Sequence, residues 1–126
     1  MKVLLKTDNC GVRPRIENFE KALLGMRVPQ GVLDTVTVVI EFIDMIPDGG
    51  MGVLGDNIFG IYLRPMQVRY TFNETVAHEL KHIATEILRP KKDRKDGKKK
   101  GPYKWEEVNC GRAEKRWGYL EYFERV

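Results

Sequence analysis

The sequence predicts a small α+β domain, and three observations carry that prediction. The chain has 126 residues, enough for one domain and too few for two, so residues 1–126 are taken as a single unit. Residues 35–43 are a β-branched apolar run, which is typical of a buried strand. Two segments, 15–26 and 73–88, show helical spacing of their apolar side chains. We therefore expect a mixed sheet of three to four strands packed on the helix over 73–88 and on a C-terminal helix.

The elements are predicted in the order β-α-β-β-α-α. Residues 3–5 form a first strand, and residues 35–43 form a central one. The helix over 15–26 is indicated by apolar residues at intervals of three and four: Ile16, Phe19, Leu23 and Met26. Residues 44–57 contain four glycines and a proline and are predicted to be a flexible connector. Residues 58–64 form a further strand, placed at a sheet edge.

The second half of the chain is predicted to be helical. Thr71 or Asn73 can cap the helix over 73–88, and Pro90 ends it. A last helix is expected from near Tyr103 to the C-terminus.

The net charge of +4 is concentrated in one segment. Residues 89–104 hold nine Lys or Arg and two Asp, a charge of +7, so the rest of the chain is at −3. This basic segment has three candidate roles. The first is a solvated connector. The second is a contact for nucleic acid through residues 91–104, with binding that depends on salt. The third is a lid that selects acidic substrates.

Several classes of protein are excluded by composition. Cys10 and Cys110 are the only cysteines, so a disulfide framework is not expected. No apolar stretch has the length needed to span a bilayer, and the short apolar run at 3–5 does not make a signal peptide. We therefore expect no membrane span and a cytoplasmic location.

His78 and His82 frame an HExxH sequence on the helix over 73–88. Residues four apart lie one above the other on a helix, so both imidazoles can reach one metal ion. Glu79 lies about 100° further round, within reach of a metal-activated water. An apolar flank is predicted on another side of the helix: Val76, Leu80, Ile83, Ala84 and Ile87. His78 and His82 are also the only histidines in the chain, which favours a metal site over scattered structural histidines.

Zinc needs a third protein ligand if a fourth position is to stay open. No histidine remains, so the third ligand must be a carboxylate or a thiolate. The candidates lie on the last helix: Glu106, Glu107, Cys110 and Glu114. Glu107, Cys110 and Glu114 share one face with two glycines, Gly111 and Gly118, which are expected to let this helix approach the HExxH helix closely. Glu106 is expected to point elsewhere.

With these motifs, the sequence resembles the gluzincin branch of the zincin metallopeptidases over about residues 35–120. It is similar in layout to minimal gluzincins and to small ImmA/IrrE-type regulatory peptidases. Their second motif often reads Glu-x-x-Ala-Asp, and the matching stretch begins at Glu107. Here Cys110 replaces the small residue, and Gly111 replaces the acid that supports a metal-bound histidine.

The resemblance implies a zinc ion bound by His78, His82 and Glu107, with Glu114 as the alternative ligand, and Glu79 as general base. It also implies that an edge strand holds the substrate backbone by strand addition, and residues 57–63 are expected to be that strand. An oxyanion donor would have to be a tyrosine, and the candidates are Tyr70, Tyr103, Tyr119 and Tyr122.

Two functions are therefore predicted. The first is a zinc-dependent peptidase that hydrolyses peptide bonds in a peptide or protein substrate. The alternative is a catalytically weak or inactive zincin-fold module, regulatory or nucleic-acid-binding, that uses residues 89–104. The glycine at position 111 favours the alternative, and the intact Glu79 favours the enzyme.

Overall fold

The computed structural model describes residues 1–6, 11–44, 49–65, 69–89 and 104–125. Helices and strands are mixed along the chain, which confirms the predicted α+β class. The elements are β1 (Lys2–Leu5), β2 (Val12–Pro14), α1 (Ile16–Gly25), α2 (Gln30–Leu33), β3 (Thr37–Phe42), β4 (Gly49–Gly55), β5 (Ile58–Leu63), α3 (Arg69–Leu88), α4 (Lys104–Trp117) and β6 (Phe123–Arg125).

Four of the strands form one mixed sheet in the order β1-β3-β5-β4. Strands β1, β3 and β5 are parallel, and β4 is antiparallel to β5. The apolar run in β3 is central because it pairs on both sides, with Val38 opposite Val3 and Phe59. Val38 and Ile40 are fully buried in the core cluster that the sheet shares with α1 and α3. The predicted mixed sheet of three to four strands is thus present, with four strands.

The predicted connector over 44–57 is wrong for residues 49–55, which form strand β4. A two-residue turn joins β4 to β5, and Asn57 occupies it with a left-handed φ of 54°. At Gly49 the strand lies close to α3: a methyl group added there would be 2.5 Å from Cγ2 of Thr75. The prediction that β5 lies at a sheet edge is also wrong. Because residues 49–55 form a strand, β5 lies between β3 and β4.

Helix α3 begins at Arg69, before the predicted start near Asn73. Asn73 is therefore inside the helix, where it is buried and does not act as a cap. Its Oδ1 accepts a hydrogen bond from the backbone N–H of Tyr122 at 3.3 Å, and its Nδ2 donates to Glu121 at 3.4 Å. Asn73 thus ties the C-terminal segment to α3. The predicted apolar flank of α3 is buried as expected: Val76, Leu80, Ile83, Ala84 and Ile87.

Helix α4 ends at Trp117 and does not continue to the C-terminus as predicted. The chain then turns, and β6 pairs with β2 as a separate antiparallel ribbon. The predicted order of elements contains neither of these two strands. Buried Tyr122 stabilises this turn by donating a hydrogen bond from its hydroxyl to the carbonyl of Trp117 at 2.7 Å and by packing edge-on against Phe19.

The two glycines of α4 and its C-terminal turn differ in their surroundings. A methyl group added at Gly118 would lie 2.7 Å from Cγ of Glu74, so the chain approaches α3 closely there. The same addition at Gly111 would meet nothing within 4 Å. The expected close approach is therefore present at Gly118 and wrong at Gly111.

Most of the basic segment, residues 90–103, lies outside the described residues, so its three candidate roles stay predictions. Its described first residue, Arg89, follows α3 directly. Across the described ranges, no helix combines the length and apolar character that a bilayer crossing requires.

Candidate metal centre

Helices α3 and α4 pack against each other and bring His78, His82 and Glu107 together. Nε2 of His82 lies 3.0 Å from Oε1 of Glu107, and Nε2 of His78 lies 3.4 Å from Oε2 of the same carboxylate. The four-residue spacing on α3 places the imidazole centroids 5.0 Å apart. One carboxylate from α4 therefore faces the Nε2 atoms of both histidines.

The opposite ring nitrogens of the two histidines face different carboxylates. Nδ1 of His78 lies 2.6 Å from Oε1 of Glu114. Nδ1 of His82 lies 3.5 Å from Oε1 of Glu106. The two nitrogens of an imidazole point away from each other, so Glu114 and Glu106 lie on the far sides of the rings from Glu107.

The prediction that Glu106 points elsewhere is wrong. Glu106 is buried, and its second oxygen lies 3.6 Å from a guanidinium nitrogen of Arg89, which also pairs with Glu86 at 3.3 Å. The sequence did hold a signal for this placement. Glu106 precedes Cys110 by four residues, so the two share a helix face, and cysteine is one of the residue types most often buried.

Glu79 is buried beside His78, with 3.8 Å between its Oε1 and Nε2 of the imidazole. Its Oε2 is buried and has no hydrogen-bond partner in the part of the chain that the structure describes. Burial raises the pKa of the Glu79 carboxyl above its ordinary value of 4.5. The imidazoles of His78 and His82 oppose that shift in pKa, and the carboxylates of Glu107 and Glu114 add to it. Such an unpaired buried carboxylate is typical of functional sites rather than of packing.

Cys110 belongs to the same cluster. Its Sγ and one ring nitrogen from each of His78 and His82 all lie within 4.8 Å of one another, so these three residues could hold a metal ion. Burial, together with the carboxylates of Glu107 and Glu106, raises the pKa of the Cys110 thiol well above its ordinary 9.0. The thiol is therefore protonated at neutral pH in the metal-free chain.

The chemistry of these donors suits a transition-metal ion, and zinc is one that fits. Imidazole nitrogen with carboxylate oxygen is a donor set that Zn²⁺ accepts, whereas Ca²⁺ and Mg²⁺ favour oxygen alone. The unpartnered oxygen of Glu79 lies in a cluster where four carboxylates surround two imidazoles: Glu79, Glu106, Glu107 and Glu114. A divalent cation held by His78, His82 and Glu107 would offset part of that negative charge.

Of the four tyrosine candidates for an oxyanion donor, the structure describes the side chains of two, Tyr122 and Tyr119. Tyr122 is fully buried, and its hydroxyl donates to the carbonyl of Trp117. Tyr119 is 66% exposed. The side chain of Tyr70 and the whole of Tyr103 lie outside the described residues.

Strand β4, at the edge of the sheet, runs beside the site. A methyl group added at Gly49 would lie 3.7 Å from Cγ of Glu79. The edge strand next to the cluster is thus residues 49–55, and the expectation that residues 57–63 form that edge is wrong.

Comparison of the chain with protein-family models, with curated proteins and with solved structures finds no match in any of the three.

Proposed function

We propose that this chain is a zinc-dependent peptidase with a gluzincin-like site, in which His78, His82 and Glu107 hold the metal and Glu79 is the general base. One observation carries the proposal. The Nε2 atoms of both HExxH histidines face the carboxylate of Glu107, at 3.0 and 3.4 Å, while Glu79 is buried beside them with an oxygen that lacks a partner among the described residues.

Zinc, when bound, polarises a carbonyl group and lowers the pKa of the water that it binds to about 7. Glu79 supplies the proton transfer. Its carboxylate accepts a proton from the attacking water as the water oxygen bonds to the carbonyl carbon, and it passes that proton to the amine as the C–N bond breaks. The raised pKa of Glu79 suits this exchange, because a base with a pKa nearer to the working pH can both take and return a proton.

Glu107 is favoured over the other candidate ligands by its position. Glu114 contacts Nδ1 of His78 and Glu106 faces Nδ1 of His82, so neither faces the Nε2 atoms on which Glu107 converges. Cys110 is the remaining candidate, since its Sγ and a ring nitrogen of each histidine lie within 4.8 Å of one another. We favour Glu107 because its two oxygens face the Nε2 atoms of both histidines.

A peptide substrate fits beside strand β4. Among the described strands, β4 pairs only with β5, so its outer edge offers backbone groups to an added strand. Gly49 places this edge next to Glu79. An extended peptide paired with β4 would therefore carry its backbone carbonyls past the general base.

The alternative function, an inactive zincin-fold regulatory or nucleic-acid-binding module, depends on residues 89–104. All but the first and last of these residues lie outside the described part of the chain, so the alternative stays a prediction. Its test is binding of a short fluorescent DNA or RNA at two salt concentrations, with a variant lacking residues 91–100. Binding that falls steeply with salt and disappears with the deletion, without peptide cleavage, would favour the alternative.

The test of the peptidase proposal is E79Q, with E74Q on the same helix as the matched control. The wild-type chain, purified without chelators, should hold close to one equivalent of zinc and cleave fluorescein-labelled casein. E79Q should keep the zinc and lose cleavage by about 10²–10⁴-fold, the usual contribution of a general base. E74Q should retain both properties. A zinc-free wild type, or an E79Q variant that cleaves at the wild-type rate, would overturn the proposal.

A further inference from the structure

We propose that Glu114 and Glu106 are positioning residues, each orienting one of the two zinc-binding histidines, with Arg89 holding Glu106 in place. This inference rests on the proposed function, because it concerns how the same site keeps its geometry. It also accounts for the glycine at position 111, where a supporting acid was expected.

Glu114 has the closest contact in the cluster. Its Oε1 lies 2.6 Å from Nδ1 of His78, the distance of a strong charge-assisted hydrogen bond. When Nδ1 carries the proton that is donated to Glu114, the lone pair of Nε2 points to the side of Glu107. Glu114 lies seven residues after Glu107, two turns along the same helix face. The support that Gly111 lacks is therefore supplied by a residue one turn further on.

Glu106 occupies the equivalent position on His82. The carboxylate is buried, with a side chain only 6% exposed, and its two oxygens face different partners. One lies 3.5 Å from Nδ1 of His82, and the other lies 3.6 Å from the guanidinium of Arg89. A carboxylate rarely stays buried unless it is paired, so the guanidinium and the imidazole together explain why it is there.

The two contacts select the same arrangement in both rings. Each places a proton on Nδ1 and leaves Nε2 free for a metal, and each restricts rotation of its ring. Loss of such a contact to a metal-binding histidine typically costs about 10–100-fold in metal affinity. We therefore expect that loss from E114A and from E106A, in contrast to complete loss of zinc from H78A.

The two-histidine composition of the chain makes a direct test practicable. Long-range ¹H–¹⁵N NMR of the zinc-loaded chain should show two imidazole rings, each with a protonated Nδ1. In E114A the Nδ1 proton of His78 should exchange rapidly with solvent while that of His82 is unchanged. In E106A the effect should be reversed. Each variant is thus the control for the other.

Zinc affinity is measured on the same proteins by competition with a chromophoric chelator. E114Q and E106Q keep an acceptor oxygen and should recover part of the affinity that the alanine variants lose. They also remain informative if an alanine variant fails to fold. E41Q, which alters a carboxylate paired with Lys6 on the sheet, should bind zinc as the wild type does.

The outcomes separate this inference from the proposed function. If the wild type binds one equivalent of zinc, but E114A and E106A show unchanged affinity and unchanged ring protons, the positioning roles are wrong and the peptidase proposal stands. If E114A loses zinc as completely as H78A, Glu114 is a ligand and the inference is overturned. If the wild type binds no zinc, the proposed function and this inference fail together.

Discussion

Oε1 of Glu107 lies 3.0 Å from Nε2 of His82, although the two residues belong to helices that the basic segment separates along the chain. This contact joins α3 to α4 at the candidate metal centre. It also distinguishes Glu107 from Glu114, which contacts the other nitrogen of the other histidine.

Glu107 is expected to dominate zinc binding among the candidates on α4. E107A should lower zinc affinity far beyond the 10–100-fold range typical of a supporting carboxylate, because it removes a direct ligand. C110A should retain most of the affinity, since in the proposed site the third ligand is Glu107 and not Cys110. Competition with a chelator compares the two variants, and greater loss from C110A than from E107A would assign the third ligand to Cys110.

Glu79 is expected to destabilise the metal-free fold. Its carboxylate is buried, and Oε2 has no partner among the described residues. Replacement by the neutral glutamine in E79Q removes the cost of burying a charge, so the free energy of unfolding should rise by about 1–3 kcal/mol. Urea denaturation at pH 7 with a chelator present measures it. E74Q should show little change, and a destabilised E79Q would contradict this account of the site.

The glycines at positions 49 and 111 should respond oppositely to alanine. G49A places a methyl group 2.5 Å from Cγ2 of Thr75, so the Thr75 side chain must change rotamer or β4 must move away from α3, at a cost of about 1–3 kcal/mol. G111A adds a methyl group in open space within α4 and should stabilise the chain by about 0.5–1 kcal/mol through helix propensity. Thermal unfolding of both variants checks the contrast. Equal effects would show that β4 does not press against α3.

Tyr122 is expected to be structural, not catalytic. Y122F removes the hydroxyl that donates to Trp117 and should cost about 1–2 kcal/mol, with casein cleavage unchanged. Y119F, at an exposed position, should change neither stability nor cleavage. Loss of cleavage in Y122F without loss of stability would identify Tyr122 as a donor in the reaction.

Y122F should also change how the stability of the fold depends on pH. Burial raises the pKa of Tyr122 above its ordinary value of 10.0, so the folded chain resists ionisation that the unfolded chain accepts. Its contribution to stability is complete below pH 10 and is lost as the pH rises further. Denaturation at pH 8 and pH 11 should show a smaller fall in Y122F than in the wild type.

Local patterns allowed part of this molecule to be predicted. The apolar flank of α3 and the shared face of His78 and His82 follow from the period of a helix, which depends on neighbouring residues alone. The β-branched run of β3 indicated a buried strand in the same way. Strand β4 gave no such signal, because its four glycines resemble a loop and the close approach of α3 at Gly49 comes from residues distant in the chain.

The helical period alone predicts that one helix presents two imidazoles and a glutamate, and residue type makes Glu106, Glu107, Cys110 and Glu114 of the last helix candidates for a further ligand. The tertiary structure is needed to see that Glu107 faces both Nε2 atoms, whereas Glu106 and Glu114 face the Nδ1 atoms. The order of these carboxylates along α4 is compatible with several helix packings, and which nitrogen each carboxylate meets depends on how α4 is placed and rotated against α3. That placement is set by burial and close contact between the helices, as at Cys110 and Gly118, where no local period can specify it.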